Sequence, residues 1–327
     1  MRFIKKGHIS FFILLSLCLV EYAQAKEYLY VTHEKRNLIS VIDIKEKKVI
    51  KKIPVGKGPT DIAFYPEKKL IAVSHKGESS EFIWLIDSAT YKSKQKALSA
   101  ITRHRERGRS YLQFNDNYTK LYAIDDENNH LEIFDTKDWK PVKKVNLDLK
   151  PMAITFSPAN KEAYMPVLYK GIVHVLDLEN DAIEDNMIID GAPSDVAVSS
   201  DGKKLYISDI ANSRVVVMDR GIKKAVKSII VGNQPHRLLL SKDDKLLYVA
   251  NYYSNNISVI DTERMEPIAL IPAGILPFDM ALSDDGRWLF SSNYDEASIS
   301  IIDTKTNRVA EKILVEIYPS KIEFASF

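Results

Sequence analysis

The stretch Pro235–Ile271, PHRLLLSKDDKLLYVANYYSNNISVIDTERMEPIALI, holds four short apolar runs and no helical period. Leu238 to Leu240 runs into a polar turn at Lys242-Asp243-Asp244, and Leu246 to Ala250 into a loop from Asn251 to Asn256. Ile257 to Ile260 leads through a turn to Pro267 to Ile271. Apolar runs this short, separated by turn residues roughly every 8–12 positions, describe strands rather than helices. Four strands in a unit of about 40–45 residues are the pattern of one propeller blade.

The unit repeats along the chain. Seven segments, SVIDI, WLIDS, EIFDT, HVLDL, VVMDR, SVIDT and SIIDT, each carry an apolar run into an aspartate: Asp43, Asp87, Asp135, Asp177, Asp219, Asp261 and Asp303. The spacings are 44, 48, 42, 42, 42 and 42 residues. Sixteen residues after six of these aspartates stands a proline: Pro59, Pro151, Pro193, Pro235, Pro277 and Pro319. Only the unit after Asp87 lacks it. An aspartate entering a turn bonds backbone amides just ahead of it, so the seven aspartates are expected to close hairpins and not to act as acids. The prolines fix the backbone where one blade crosses to the next. Gly56, Gly232 and Gly274, three residues before their prolines, fit that crossing as well.

The ends of the chain complete the pattern. Tyr28 to Thr32, Leu38 to Ile42 and Val49 to Val55 read as second, third and fourth strands, and Lys321 to Phe324 reads as a first strand. Three strands from one end and one from the other make a seventh blade. The expected fold is an all-β, seven-bladed propeller of four antiparallel strands per blade occupying residues 26–327, its last blade closed by the N-terminal strands plus the C-terminal strand. Sequences such as Leu247-Tyr248-Val249-Ala250-Asn251, Ile257-Ser258-Val259-Ile260-Asp261-Thr262 and Gly232-Asn233-Gln234-Pro235 resemble the YVTN-type β-propeller repeat over essentially all of residues 27–327. The resemblance implies a seven-bladed and commonly exported protein, and it names no ligand.

Residues 1–25 carry Arg2, Lys5 and Lys6, an apolar run from Ile9 to Val20, and Ala23-Gln24-Ala25. That is the pattern of a cleaved secretory signal. About 12 apolar residues are too few to span a bilayer, so no stable membrane insertion is expected after cleavage. The single cysteine, Cys18, lies in that run, which leaves the remainder without disulfides, thiol nucleophiles or thiolate metal sites. The chain is near neutral: 46 basic against 44 acidic residues, and 43 against 43 without the first 25. Nucleic-acid binding depends largely on neutralising phosphates and is not expected. Nucleophile-elbow, phosphate-loop, dinucleotide and HExxH motifs are missing from the sequence.

Function is then expected where units depart from their shared pattern. The loops joining fourth to first strands and second to third strands share one face and ring one end of the central channel. After the prolines come Thr60-Asp61, Met152-Ala153, Ser194-Asp195, His236-Arg237, Phe278-Asp279 and Ser320-Lys321. His236 has no counterpart in another unit, and Lys321 is the only basic match to Arg237. The irregular unit contributes Arg103, His104, Arg105, Arg107 and Arg109, a local cationic stretch of forked guanidinium groups suited to carboxylates or phosphates. Asp61, Asp195, Asp279, His236, Arg237, Lys321 and these five residues form the candidate ligand site. His33 and His75 end second strands in neighbouring blades and serve either as turn residues or, with His104 and His236, as metal ligands. His130 and His174 are read as packing or surface residues. Tyr169, Tyr252, Tyr253 and Tyr294 fall in second-to-third-strand loops as a candidate recognition rim. The expected function is a non-catalytic, exported, periplasmic or secreted binding or scaffold propeller. It is expected to be a monomer without a cofactor that recognises an envelope protein or anionic small molecule at the channel mouth. The alternative is a metal- or haem-associated enzyme or redox accessory.

Overall fold

The computed structural model describes residues 26–76, 82–97, 110–125, 128–147 and 151–327. They form seven four-stranded antiparallel sheets arranged as blades around a channel. Blade I consists of Pro319–Ser326, Glu27–His33, Leu38–Asp43 and Lys48–Pro54, counted from the channel outward. The innermost strands of blades II to VII are Pro59–Tyr65, Ser110–Phe114, Thr155–Phe156, Pro193–Val198, Pro235–Leu240 and Pro277–Leu282. The expected all-β propeller is what the chain forms, with no α-helix among the described residues. The ends close on each other through pairs from Glu27↔Ser326 to His33↔Pro319.

Each sheet is apolar on both faces, and neighbouring sheets bury those faces against each other. One such interface joins Tyr164, Val173 and Val175 of blade IV to Val196, Leu205 and Ile207 of blade V. All seven repeat aspartates cap the hairpin between third and fourth strands. Asp219 Oδ1, for example, accepts the Gly221 amide at 2.9 Å and the Ile222 amide at 3.1 Å, and Asp43, Asp87, Asp135, Asp177, Asp261 and Asp303 accept amides two or three residues ahead. Four residues after each aspartate the backbone turns left-handed, at Lys47, Tyr91, Trp139, Asp181, Lys223, Met265 and Asn307, as in a hairpin built on a type I turn plus one such residue.

Two details differ from the sequence reading. In five blades the innermost strand begins at the proline itself, three residues before Leu238 in blade VI. The two side chains after the proline therefore belong to the channel wall instead of the loop above it. In five blades the register shifts at the first of them, Thr60, Ser194, His236, Phe278 and Ser320, a bulge that re-aims side chains. Gly232 and Gly274 are also not there for a left-handed turn. That conformation falls on Gly58, Gln234, Leu276 and Tyr318, immediately before the prolines. A Cβ on Gly232 or Gly274 would lie 2.7 Å from Asn251 or 2.3 Å from Asn293, so close packing excludes a side chain.

Deleting residues 321–327 removes most of the closing strand and exposes the edge of Glu27–His33. A loss above about 5 kcal/mol is expected, read as a truncated protein that melts far below the full chain or fails to fold. An unchanged melting temperature would contradict the closure.

Candidate functional site

The second residue after each proline, or its equivalent, forms a ring inside the channel: Asp61, Tyr111, Ala153, Asp195, Arg237, Asp279 and Lys321 from blades II, III, IV, V, VI, VII and I. Five of the seven alternate in charge around the ring. Arg237 Nη1 lies 3.3 Å from Asp195 Oδ2 and its Nε 2.9 Å from Asp279 Oδ1, and Lys321 Nζ stands 4.0 Å beyond on the same oxygen.

The three aspartates also join blades. Asp61 Oδ2 accepts the Leu112 amide at 2.9 Å, Asp195 Oδ2 the Leu238 amide at 2.8 Å, and Asp279 Oδ2 the Ile322 amide at 3.0 Å. Each bond crosses to the innermost strand of the next blade. At the blade IV to V junction, where position two is alanine, Thr155 Oγ1 donates to the Val196 carbonyl at 2.9 Å. Burial raises the carboxyls of Asp61 and Asp195 above the ordinary range, against the pull of Lys321 and Arg237 respectively. Arg237 keeps its charge, its burial outweighed by Asp195 and Asp279.

Below the ring, two residues further along blade I, lies Glu323, which the sequence reading did not single out. Burial, reinforced by Asp61 and Asp279, pushes its carboxyl up to about 8. Its counterparts in blades II, V and VII are Ala63, Ala197 and Ala281. The alternation of strand side chains, counted from the proline rather than from Leu238, would have placed it in the wall. The partly open chamber measures about 390 Å³ and is lined by Asp61, Tyr111, Arg237, Asp279, Lys321 and Glu323 among others. Towards the mouth a small pocket of about 20 Å³, the neck, lies between Tyr111, Met152, His236 and Phe278. A pocket of that size holds about one water.

Outside the neck, the bulges at His236 and Phe278 bring together an arc of rings. His236 lies 4.8 Å from Phe278 and 6.0 Å from Tyr252, and Tyr252 lies 5.2 Å from Tyr253. Phe278 continues to Tyr294 at 5.7 Å, Tyr294 to Tyr318 at 5.2 Å, and Lys35 Nζ closes the arc 3.9 Å over Tyr318. Tyr253, Ile275 and Ile317 extend it as exposed apolar surface. Of the tyrosines named from sequence, Tyr252, Tyr253 and Tyr294 join this arc over blades VI, VII and I. Tyr169, although 71% exposed, belongs to blade IV and is not among these ring contacts. Tyr318 and Lys35 were missed because each lies in a different loop from its partner.

The histidines divide by environment. His33 is buried, with Nε2 2.9 Å from Ser40 Oγ and Nδ1 3.3 Å from the Ile317 carbonyl. Burial lowers it to about 4, so it stays neutral. Asn251 and Asn293 make the same bond, to Ser258 and Ser300, seven residues on, which marks His33 as a variant of a loop-closing position. His75 is buried beside Trp84 with ring centroids 5.6 Å apart. His130 is buried, and His174 Nδ1 lies 2.5 Å from Asn186 Oδ1, both within packed strands. Among the described residues, no three His, Cys, Asp or Glu side chains converge as a metal site. Arg103, His104, Arg105, Arg107 and Arg109 lie outside the described residues, as does the segment 1–25. Among the described residues no helix is long and apolar enough to cross a membrane.

Comparison with known proteins adds the following. A family model described as the cytochrome D1 heme domain matches residues 192–280. No curated protein matches the chain. The fold resembles the hydrazine synthase of Kuenenia stuttgartiensis, with 16% identity and a TM-score of 0.75 over 85% of this chain and 92% of that one. It also resembles the dihydro-heme d1 dehydrogenase NirN in complex with DHE, at 16% identity and a TM-score of 0.66 over 88% and 64%. A protein from Lactobacillus plantarum matches at 13% identity and a TM-score of 0.77 over 92% and 100%. At such identities the likeness concerns the fold.

Two outcomes follow for the channel. Arg237→Ala leaves Asp195 and Asp279 facing each other across a buried gap and is expected to cost about 3–5 kcal/mol, measured by denaturant unfolding. Glu323 binds a proton more tightly folded than unfolded, so its contribution is full below pH 4.5 and is lost as pH rises to about 8. Glu323→Gln should flatten the decline of the melting temperature across that interval and raise it at pH 8. An identical pH profile would refute the buried acid.

Proposed function

We propose that this protein is an exported, non-catalytic binding propeller of YVTN type that captures its ligand or partner on the mouth face, over the arc from Tyr253 through His236 and Phe278 to Tyr318. The observation that carries this reading is the arc itself: six contiguous aromatic or imidazole rings from three blades, ending in Lys35. Amphipathic rings with one edge in water are well suited to recognition surfaces. Within the channel, Arg237 is compensated by Asp195 and Asp279. The attraction for an anion therefore rests with Lys35 and with the stretch Arg103–Arg109, and the acceptor is an anionic small molecule or an acidic face of an envelope protein.

A haem-type ligand is the second reading, favoured by the match of residues 192–280, which include His236, Tyr252 and Phe278. The chamber suits a tetrapyrrole with its own carboxylates poorly, because carboxylates outnumber cations on its wall. The mouth offers stacking rings and the His236 imidazole, and among the described residues Lys35 is the cation placed over a ring of the arc. A macrocycle would therefore lie on the arc outside the neck.

Envelope extract passed over the immobilised protein tests the first reading. The pair Tyr252→Ser and Tyr294→Ser, and separately Arg103, Arg105, Arg107 and Arg109 all to Ser, should each reduce capture about tenfold or more, a difference of about 1.4 kcal/mol. Both should melt within a few degrees of the parent. Capture unchanged in both variants rejects the mouth site. Haemin titration followed by absorption tests the second reading: a saturable Soret shift lost in His236→Ala would promote it above the first.

A further inference from the structure

The repeat carries one departure on the opposite face. One position of the second strand, thirteen residues before the repeat aspartate, is aromatic and buried in six blades: Tyr30, Tyr122, Tyr164, Tyr206, Tyr248 and Phe290. In blade II the strand pairing puts Ala72 there. Elsewhere the ring helps to lock its blade to the next. Tyr122 donates to Asp181 Oδ1 at 2.7 Å while Lys120 pairs with the same carboxylate, and Tyr164 meets Arg220 at 3.1 Å beside the Glu162–Arg220 pair. Between blades II and III that polar lock is replaced by Trp139, set edge-on to Phe114 at 6.4 Å.

The exchange leaves a groove of about 550 Å³ where blade II meets blade III. Its floor is Leu70, Leu85 and the buried Trp139, and its rim is Thr90, Lys92 and Lys137. Asp87 also borders it, but its Oδ1 is turned back to the amides of Ala89 and Thr90 and the Thr90 hydroxyl. Neither the Lys92 nor the Lys137 ammonium is in an ion pair among the described residues, whereas Lys47, Lys76, Lys120, Lys161 and Lys223 are all paired. An apolar trough of this size, bordered by two unpaired cations, has the shape and charge of a small-molecule site.

We infer that this groove binds an amphiphile with one carboxylate head and a linear apolar tail, the tail over Leu70, Leu85 and Trp139 and the head between Lys92 and Lys137. The site is separate from the mouth, which lies at the other end of the blades. A chain of about ten carbons gains roughly 0.8 kcal/mol for each methylene it buries, and the two ammonium groups select the sign of the head.

Calorimetric titration with sodium decanoate, below its aggregation threshold, tests the site against decyltrimethylammonium of equal chain length. Saturable binding of one decanoate per chain is expected, with the cation about tenfold weaker or silent. Leu70→Glu puts a carboxylate in the floor, at the position that blade IV fills with Glu162, and should weaken decanoate about tenfold or more while the variant still melts in one cooperative transition. Lys92→Gln with Lys137→Gln should remove the preference between the two heads. The mouth variant Tyr252→Ser with Tyr294→Ser should bind decanoate as the parent does. Absence of saturable decanoate binding, equal affinity for both heads in the parent, or full affinity in Leu70→Glu would overturn the inference.

Discussion

The pairing of Glu27–His33 with Pro319–Ser326 is the constraint on which the remaining geometry depends. An open run of blades would leave its two end sheets with an apolar face towards solvent and an unpaired strand edge. Closure covers both and fixes the diameter of the channel. Only at that diameter do side chains from different blades come within bonding distance across it, as Arg237 does with Asp195 and Asp279. The charges in the wall are thus a product of closure, and the amide bonds from Asp61, Asp195 and Asp279 strengthen it in turn.

Much of this was legible from the chain. Seven aspartates in one register gave the blade number, and their hairpin role follows from turn chemistry alone. The split of the closing blade between the two ends was legible because its strands appear in the correct order at opposite termini. The candidate residues Asp61, Asp195, Arg237, Asp279 and Lys321 do converge, because identical positions in a closed repeat must lie at one height.

Their environment was not legible. Whether Arg237 is free or compensated depends on which residues stand beside it in space, and those lie 42 residues away in each direction. The arc escaped for a related reason: Lys35 and Tyr318 are far apart in sequence and adjacent only after closure. Starting the inner strand at Leu238 hid the wall position of Glu323, since apolar patterning marks where burial begins and not where the backbone first pairs. The glycines show a similar limit. Gly232 and Gly274 suggested backbone freedom, while their reason is the nearness of Asn251 and Asn293.

The acid in the channel wall has a consequence for any heat measurement made on this molecule. Burial holds the Glu323 carboxyl up to about 8, so an event that changes its surroundings between pH 4.5 and that value moves a proton between protein and buffer. Heats of association would then differ between buffers of unequal ionisation enthalpy. An event that leaves the wall untouched would give the same heat in each, which makes the choice of buffer a reporter on where a partner sits.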